Sequence, residues 1–119
     1  MATDHAAVVR RYNEVWAESD ASRRLDVLAE IWADDGIYID PDVPKGARGA
    51  HGLSDLIATS LQELPGLSIA AISDVAILGE RAWYRWRATT LDGEHFEGTD
   101  IIEFATDGRI ERVTNFFDG

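Results

Sequence analysis

The 119-residue chain has no cysteine, so disulfide staples and thiolate catalysis are both excluded, and the core must hold by packing alone. No apolar run approaches the roughly 18 residues that a membrane span requires. The start, MATDHAAVVRRYNE, lacks the basic-then-apolar layout of a secretion signal, so a cytoplasmic location is the default expectation. Basic residues are scarce as well: 11 Lys and Arg against 22 Asp and Glu give a net charge of -11. That balance opposes phosphate backbones and anionic lipid, so neither nucleic acid nor a membrane is an expected partner. The acids are scattered instead of gathered in a tail, and a well-hydrated surface accounts for most of them.

What is present is a foldable core. Apolar residues make up 45% of the chain and include four tryptophans, far from the compositions that stay disordered. The length suits a single domain, residues 1–119. Val8, Tyr12, Val15 and Trp16 repeat at helical spacing and predict a first helix over about Asp4 to Glu18. Asp20 or Ser22 caps a second, whose stripe of Leu25, Leu28, Ile31 and Trp32 is stopped by Asp34-Asp35-Gly36. A short strand, 37 to 40, leads into PDVPKGARGAHG, which has the composition of a loop. Leu53, Leu56, Ile57, Leu61 and Leu64 trace a third helix ended by Pro65-Gly66. His51 shapes the approach to it.

The remainder reads as strands over about 67 to 78, 81 to 91, 94 to 105 and 109 to 117. They are separated by Gly79-Glu80, Asp92-Gly93 and Asp107-Gly108, and Asp-Gly between two β-rich runs is a hairpin signal. Helices followed by hairpins define an α+β domain in which one face of a curved, mainly antiparallel sheet buries three helical stripes. The unfilled part of such a half-closed cone is a pocket.

Two acids draw attention within this frame. Asp40 ends the apolar strand Ile37-Tyr38-Ile39 and is locked against Pro41, either as a catalytic carboxylate or simply as the opener of a turn. Asp100 lies inside GTDIIEF, although aspartate is depleted in strands, so it needs a buried partner, a pocket or the outer face. Arg85 and Arg87 on the preceding strand are candidate partners, and strand alternation places them opposite to Tyr84 and Trp86 without saying which pair faces inward. His95 and Glu97 share one side of a strand but fall short of the three or four ligands a metal needs, so no metal or cofactor is expected.

Several strings stand out together: Arg11-Tyr12, Trp32-Ala33-Asp34-Asp35 through Asp40-Pro41, His51-Gly52, Gly98-Thr99-Asp100, Asp107-Gly108-Arg109-Ile110 and Phe116-Phe117. In this order they resemble the SnoaL-like and ketosteroid isomerase-like members of the nuclear transport factor 2 (NTF2-like) superfamily. The resemblance spans the chain and implies a cystatin-like, NTF2-like cone. It also implies roles: Asp40 as general base, Tyr12 as a donor to the substrate oxygen, and Asp100 as a second donor kept protonated. Thr59 and Ser60 stand where the isomerases carry an aromatic pair. Trp16, Trp32, Tyr38, Ile57, Phe104, Phe116 and Phe117 are the expected substrate-binding residues around an apolar ligand.

Chemically, the set suits proton abstraction next to a carbonyl, with donors ready for the enolate oxygen. Two rival expectations stand beside it. One is epoxide opening by Asp40 and Asp100 bridged by Arg85 or Arg87, and the other is a non-catalytic binding module. Ile101, with Val113 or Trp83, is expected to leave an apolar outer sheet face, which, like the resemblance, points to a homodimer.

Overall fold

The computed structural model describes residues 4–118. The helices are α1 (His5–Val15), α2 (Ala21–Ile31) and α3 (Gly49–Glu63). The strands are β1 (Trp32–Asp40), β2 (Val43–Arg48), β3 (Ser68–Ala71), β4 (Ala76–Leu78), β5 (Arg81–Thr89), β6 (His95–Phe104) and β7 (Ile110–Phe117). Both early helices open on aspartates: Asp4 accepts from the Ala7 N–H, and Asp20 from those of Ser22 and Arg23. These bonds satisfy donors that the first helical turn leaves unpaired.

The sheet runs β2-β1-β7-β6-β5-β3, with β4 also on β5. Every pair is antiparallel except β1 with β7, which are parallel. Three helices on a curved, mainly antiparallel sheet give the expected α+β class. Arg24, itself buried, ties the helices together by donating to Ser54 Oγ at 3.0 Å and to the Glu18 carbonyl at 2.9 Å. Among the described residues no helix is long and apolar enough to cross a membrane.

Three elements differ from expectation. Trp32 does not close α2 but opens β1, and Asp34-Asp35-Gly36 forms a bulge where Trp32 pairs with Ile110 and Ile37 already with Arg112. A side chain on Gly36 would overlap the Trp32 indole, so the glycine is what lets the bulge fold back on that ring. The segment expected as a loop holds β2, an edge strand whose Pro44 costs no ladder bond. The strand expected over 67 to 78 splits in two, because Ser73 Oγ takes the Arg85 N–H in place of a ladder partner.

Alternation is strict on β5, where Ala82, Tyr84, Trp86 and Ala88 are buried under the helices. The facing positions on β6 are Ile102, Asp100, Gly98 and Phe96. Val113 on β7 is fully buried too, so it belongs to the core and not to the outer face. Ile101 and Trp83 do face outward, with relative exposures of 39% and 52%.

Candidate active site

Between α1, α3 and the inner sheet face lies a cavity of about 360 Å³. Its floor includes Asp100 on β6, which pairs in register with Asn115 on β7; Tyr84 on β5 pairs with Asp100 from behind and is fully buried. Tyr38 and Asp40 extend the floor on β1. Tyr12, Asn13 and Trp16 descend from α1, and Thr59 and Ser60 approach from α3.

Asp40 is 8% exposed. One oxygen accepts the Asp42 and Val43 N–H groups at 2.8 and 2.9 Å, the geometry of an Asx turn that also closes the β1–β2 hairpin. The other oxygen accepts the Tyr38 hydroxyl at 2.7 Å. The turn and the cavity therefore use the same carboxylate, and the two readings of Asp40 do not compete. Burial, with the Tyr12 hydroxyl and the Asp40 charge nearby, holds Tyr38 protonated well above the ordinary tyrosine range.

Asp100 is 2% exposed. Burial pushes its carboxyl up to about 7, opposed by the Tyr84 hydrogen bond and assisted by the Asp40 charge. The Tyr84 hydroxyl lies 2.6 Å from Asp100 Oδ2 and 3.0 Å from Asn13 Oδ1. It has one hydrogen for two acceptors. The conflict is resolved when the Asn13 amide presents its NH2, so that Tyr84 accepts from Asn13 and donates to Asp100 Oδ2, leaving Oδ1 to carry the proton of a neutral Asp100. Asp100 Oδ1 is buried and has no partner.

Tyr12 is 1% exposed and stacks on Trp32 with ring centroids 6.0 Å apart. Burial raises its pKa most, then the Asp100 charge, with Trp16 opposing and Asp40 adding. The phenol therefore remains a hydrogen-bond donor, and both carboxyls lie close enough to act on it. Tyr12, Asp40 and Asp100 thus border one cavity.

Of the other expected residues, Trp16, Tyr38 and Phe117 line the cavity. Trp32, Ile57 and Phe104 do not: each is buried in the core, Trp32 against Tyr12 and Phe104 under His5. Phe116 is turned out, at 51% exposure, because it is out of phase with Asn115 and Phe117 on β7. Arg85 and Arg87 also point outward, where Arg85 pairs with Asp118 at 2.6 Å and Arg87 with Glu97 at 2.6 Å. Neither reaches Asp100, which removes both the expected ion pair and the arginine-bridged epoxide chemistry. Glu97 is engaged by Arg87 and so is not a free partner for His95.

Sequence reasoning missed Asn13, Tyr84 and Asn115. Their side chains are ordinary in a helix or strand, and only the register of three strands brings them beside the two acids. The charged residues in the lining are Asp40, Asp42, Glu63 and Asp100, with no Lys, Arg or His among them.

A cone of this topology, hollow between helices and sheet and floored by two buried carboxyls, defines an NTF2-like, ketosteroid isomerase-like fold. Residues 9–113 match the SnoaL-like domain family, and the chain belongs to it. A candidate isomerase of the SnoaL-like family from Agrobacterium tumefaciens is 29% identical, superposes with a TM-score of 0.88 and matches over 97% of each chain. A candidate ketosteroid isomerase from Kribbella flavida is 22% identical, with a TM-score of 0.73 over 97% of this chain and 78% of that one. An NTF2-like protein of unknown function from Exiguobacterium is 18% identical, with a TM-score of 0.72 over 93% and 98%. At these identities the last two speak for the fold alone. No curated protein matches the sequence.

Proposed function

We propose that the protein is a small isomerase or cyclase-type enzyme that needs no cofactor and acts by proton abstraction next to a carbonyl. Ionised Asp40 takes the proton from carbon, the C–H electron pair moves toward the carbonyl oxygen, and the enolate forms. Tyr12 and neutral Asp100 meet that oxygen as donors, and Asp40 returns the proton at another carbon. The observation that carries this reading is Asp100: a carboxyl 2% exposed, without a cation, with one oxygen buried and unpartnered, in the wall of the cavity that Asp40 and Tyr12 also line. Burial disfavours its charged form, which is what makes an acid a donor near neutral pH. The family and its isomerase-type relatives agree with such chemistry.

The cavity volume lies near the lower end of the range of about 300–1,000 Å³ typical of small-molecule sites. With Trp16, Trp86, Phe96 and Phe117 in its walls, it suits one apolar molecule of modest size. The outer face, with Trp83, Ile101 and Phe116 exposed, is proposed as the surface on which a second copy packs.

The test is turnover of a 3-oxo-Δ5-steroid. Asp40→Asn is expected to lower kcat/KM by two or more orders of magnitude, about the range of general-base catalysis. An unchanged rate in the variant, or a parent that binds the steroid and never converts it, would overturn the proposal. The second outcome favours a binding module instead.

A further inference from the structure

Asn115 sits on the cavity floor beside Asp100 and is 9% exposed. Its amide orientation follows from counting hydrogens. The Tyr38 hydroxyl has one, and it goes to Asp40 Oδ2 at 2.7 Å. Toward Asn115, the phenol oxygen is therefore an acceptor, and the amide must present its NH2, with Nδ2 at 3.0 Å. The amide oxygen is turned away from this pair, and it is buried with no partner. Two more buried polar atoms in the same lining are also unpartnered: Asp100 Oδ1 and the Trp86 indole N–H.

An unmatched acceptor in a protein interior is costly, and the cost is recovered only when a ligand or a water supplies a donor. The carbonyl handled by Tyr12 and Asp100 cannot do this, since it has no hydrogen to give. The hydroxyl donors of the lining are already engaged: Tyr38 gives its hydrogen to Asp40, and Tyr12 and neutral Asp100 are committed to the carbonyl oxygen in the proposed reaction. We infer that Asn115 is a specificity residue whose amide oxygen accepts a hydrogen bond from a hydroxyl group on the substrate, so that the site takes neutral hydroxylated carbonyl compounds. The assignment rests on the proposed role of Asp40, because it is the ionised carboxylate that claims the Tyr38 hydrogen. The acid-only lining adds the second half of the selection: a carboxylate or phosphate group on the substrate would face Asp40, Asp42 and Glu63 without a compensating cation.

The geometry also says what Asn115 does for the base. Its NH2 occupies the lone pair of Tyr38 and fixes the phenol in the rotation that serves Asp40. One amide therefore joins substrate selection to the alignment of the base.

The experiment compares two probes that cannot ionise near neutral pH, 2-naphthalenemethanol and its methyl ether, by quenching of tryptophan emission. Trp16 and Trp86 line the cavity and report on it. The parent is expected to bind the alcohol about tenfold more tightly than the ether, a ratio in keeping with one buried hydrogen bond. In Asn115→Leu the ratio should fall below about twofold, and comparing ratios within each protein cancels the difference in probe size. Asn115→Ala, checked by circular dichroism, gives the same reading should leucine disturb the fold. A parent without preference, or a preference kept in both variants, would overturn the assignment. Loss of steroid turnover in Asp40→Asn is read independently, so the base can fail while the Asn115 preference stands, and the reverse.

Discussion

Asp100 is held against the preference of its own type. Its folded pKa of about 7 stands above the unfolded value of 3.8. A raised acid contributes stability that is fully present below the unfolded value and is lost as pH rises through the folded one. The parent should therefore lose stability between about pH 4 and pH 7, by on the order of 4 kcal/mol at most. Asp100→Asn cannot ionise and should show a much flatter profile, which urea unfolding at pH 5 and pH 8 measures. The same variant keeps a donor, so it should also retain kcat/KM above pH 7, where the parent declines. Parallel profiles for the two proteins would show that Asp100 does not govern this window. Asp100 was legible in the sequence because an aspartate inside an apolar strand demands an explanation. Tyr84 and Asn115 were not, because a tyrosine between a tryptophan and an arginine and an asparagine before two phenylalanines become informative only once strand register is known.

At the scale of elements, the cavity owes its floor to one glycine. Gly98 on β6 lies under the Trp86 indole and beside the Phe116 carbonyl, and a Cβ there would overlap both. The ring can lie flat across the strand, edge-on to Phe96 and Phe117, only because that position is bare. Gly98→Ala is expected to destabilise the fold by about 3 kcal/mol, the upper part of the usual overpacking range, and to disturb ligand binding. A thermal melt within about 0.5 kcal/mol of the parent would contradict this close approach. The hairpin strands β5, β6 and β7 could be read from their Asp-Gly turns and alternation. The bulge in β1 and the edge strand β2 could not, since Asp34-Asp35-Gly36 has the same composition as a helix stop and β2 the composition of a loop. In both cases pairing with a distant strand overrides local preference, as β strands commonly do.

At the scale of the molecule, the two sheet faces are proposed to have separate duties. The inner face carries the candidate site, while Trp83 pairs with Ile101 on the outer face and Phe116 lies one row away beside Thr99. Sedimentation is expected to show a dimer, and Ile101→Asp should weaken it at least tenfold by placing a charge in an apolar contact. A parent that sediments as a monomer at micromolar concentration would remove the proposed interface. The helical stripes and the cone were legible because burial of one face per element leaves few architectures. The parallel docking of β1 on β7 was not, because it joins segments far apart in the sequence with no turn to announce it.

The acid-lined wall bears on the proposed turnover. Every carboxylate that helps to refuse an anionic visitor at the mouth would also hasten the departure of an anionic occupant. If the rearranged molecule ionises to an anion more readily than its precursor, it would be repelled by the same walls that admitted its neutral form, and reverse binding would be suppressed without any moving lid.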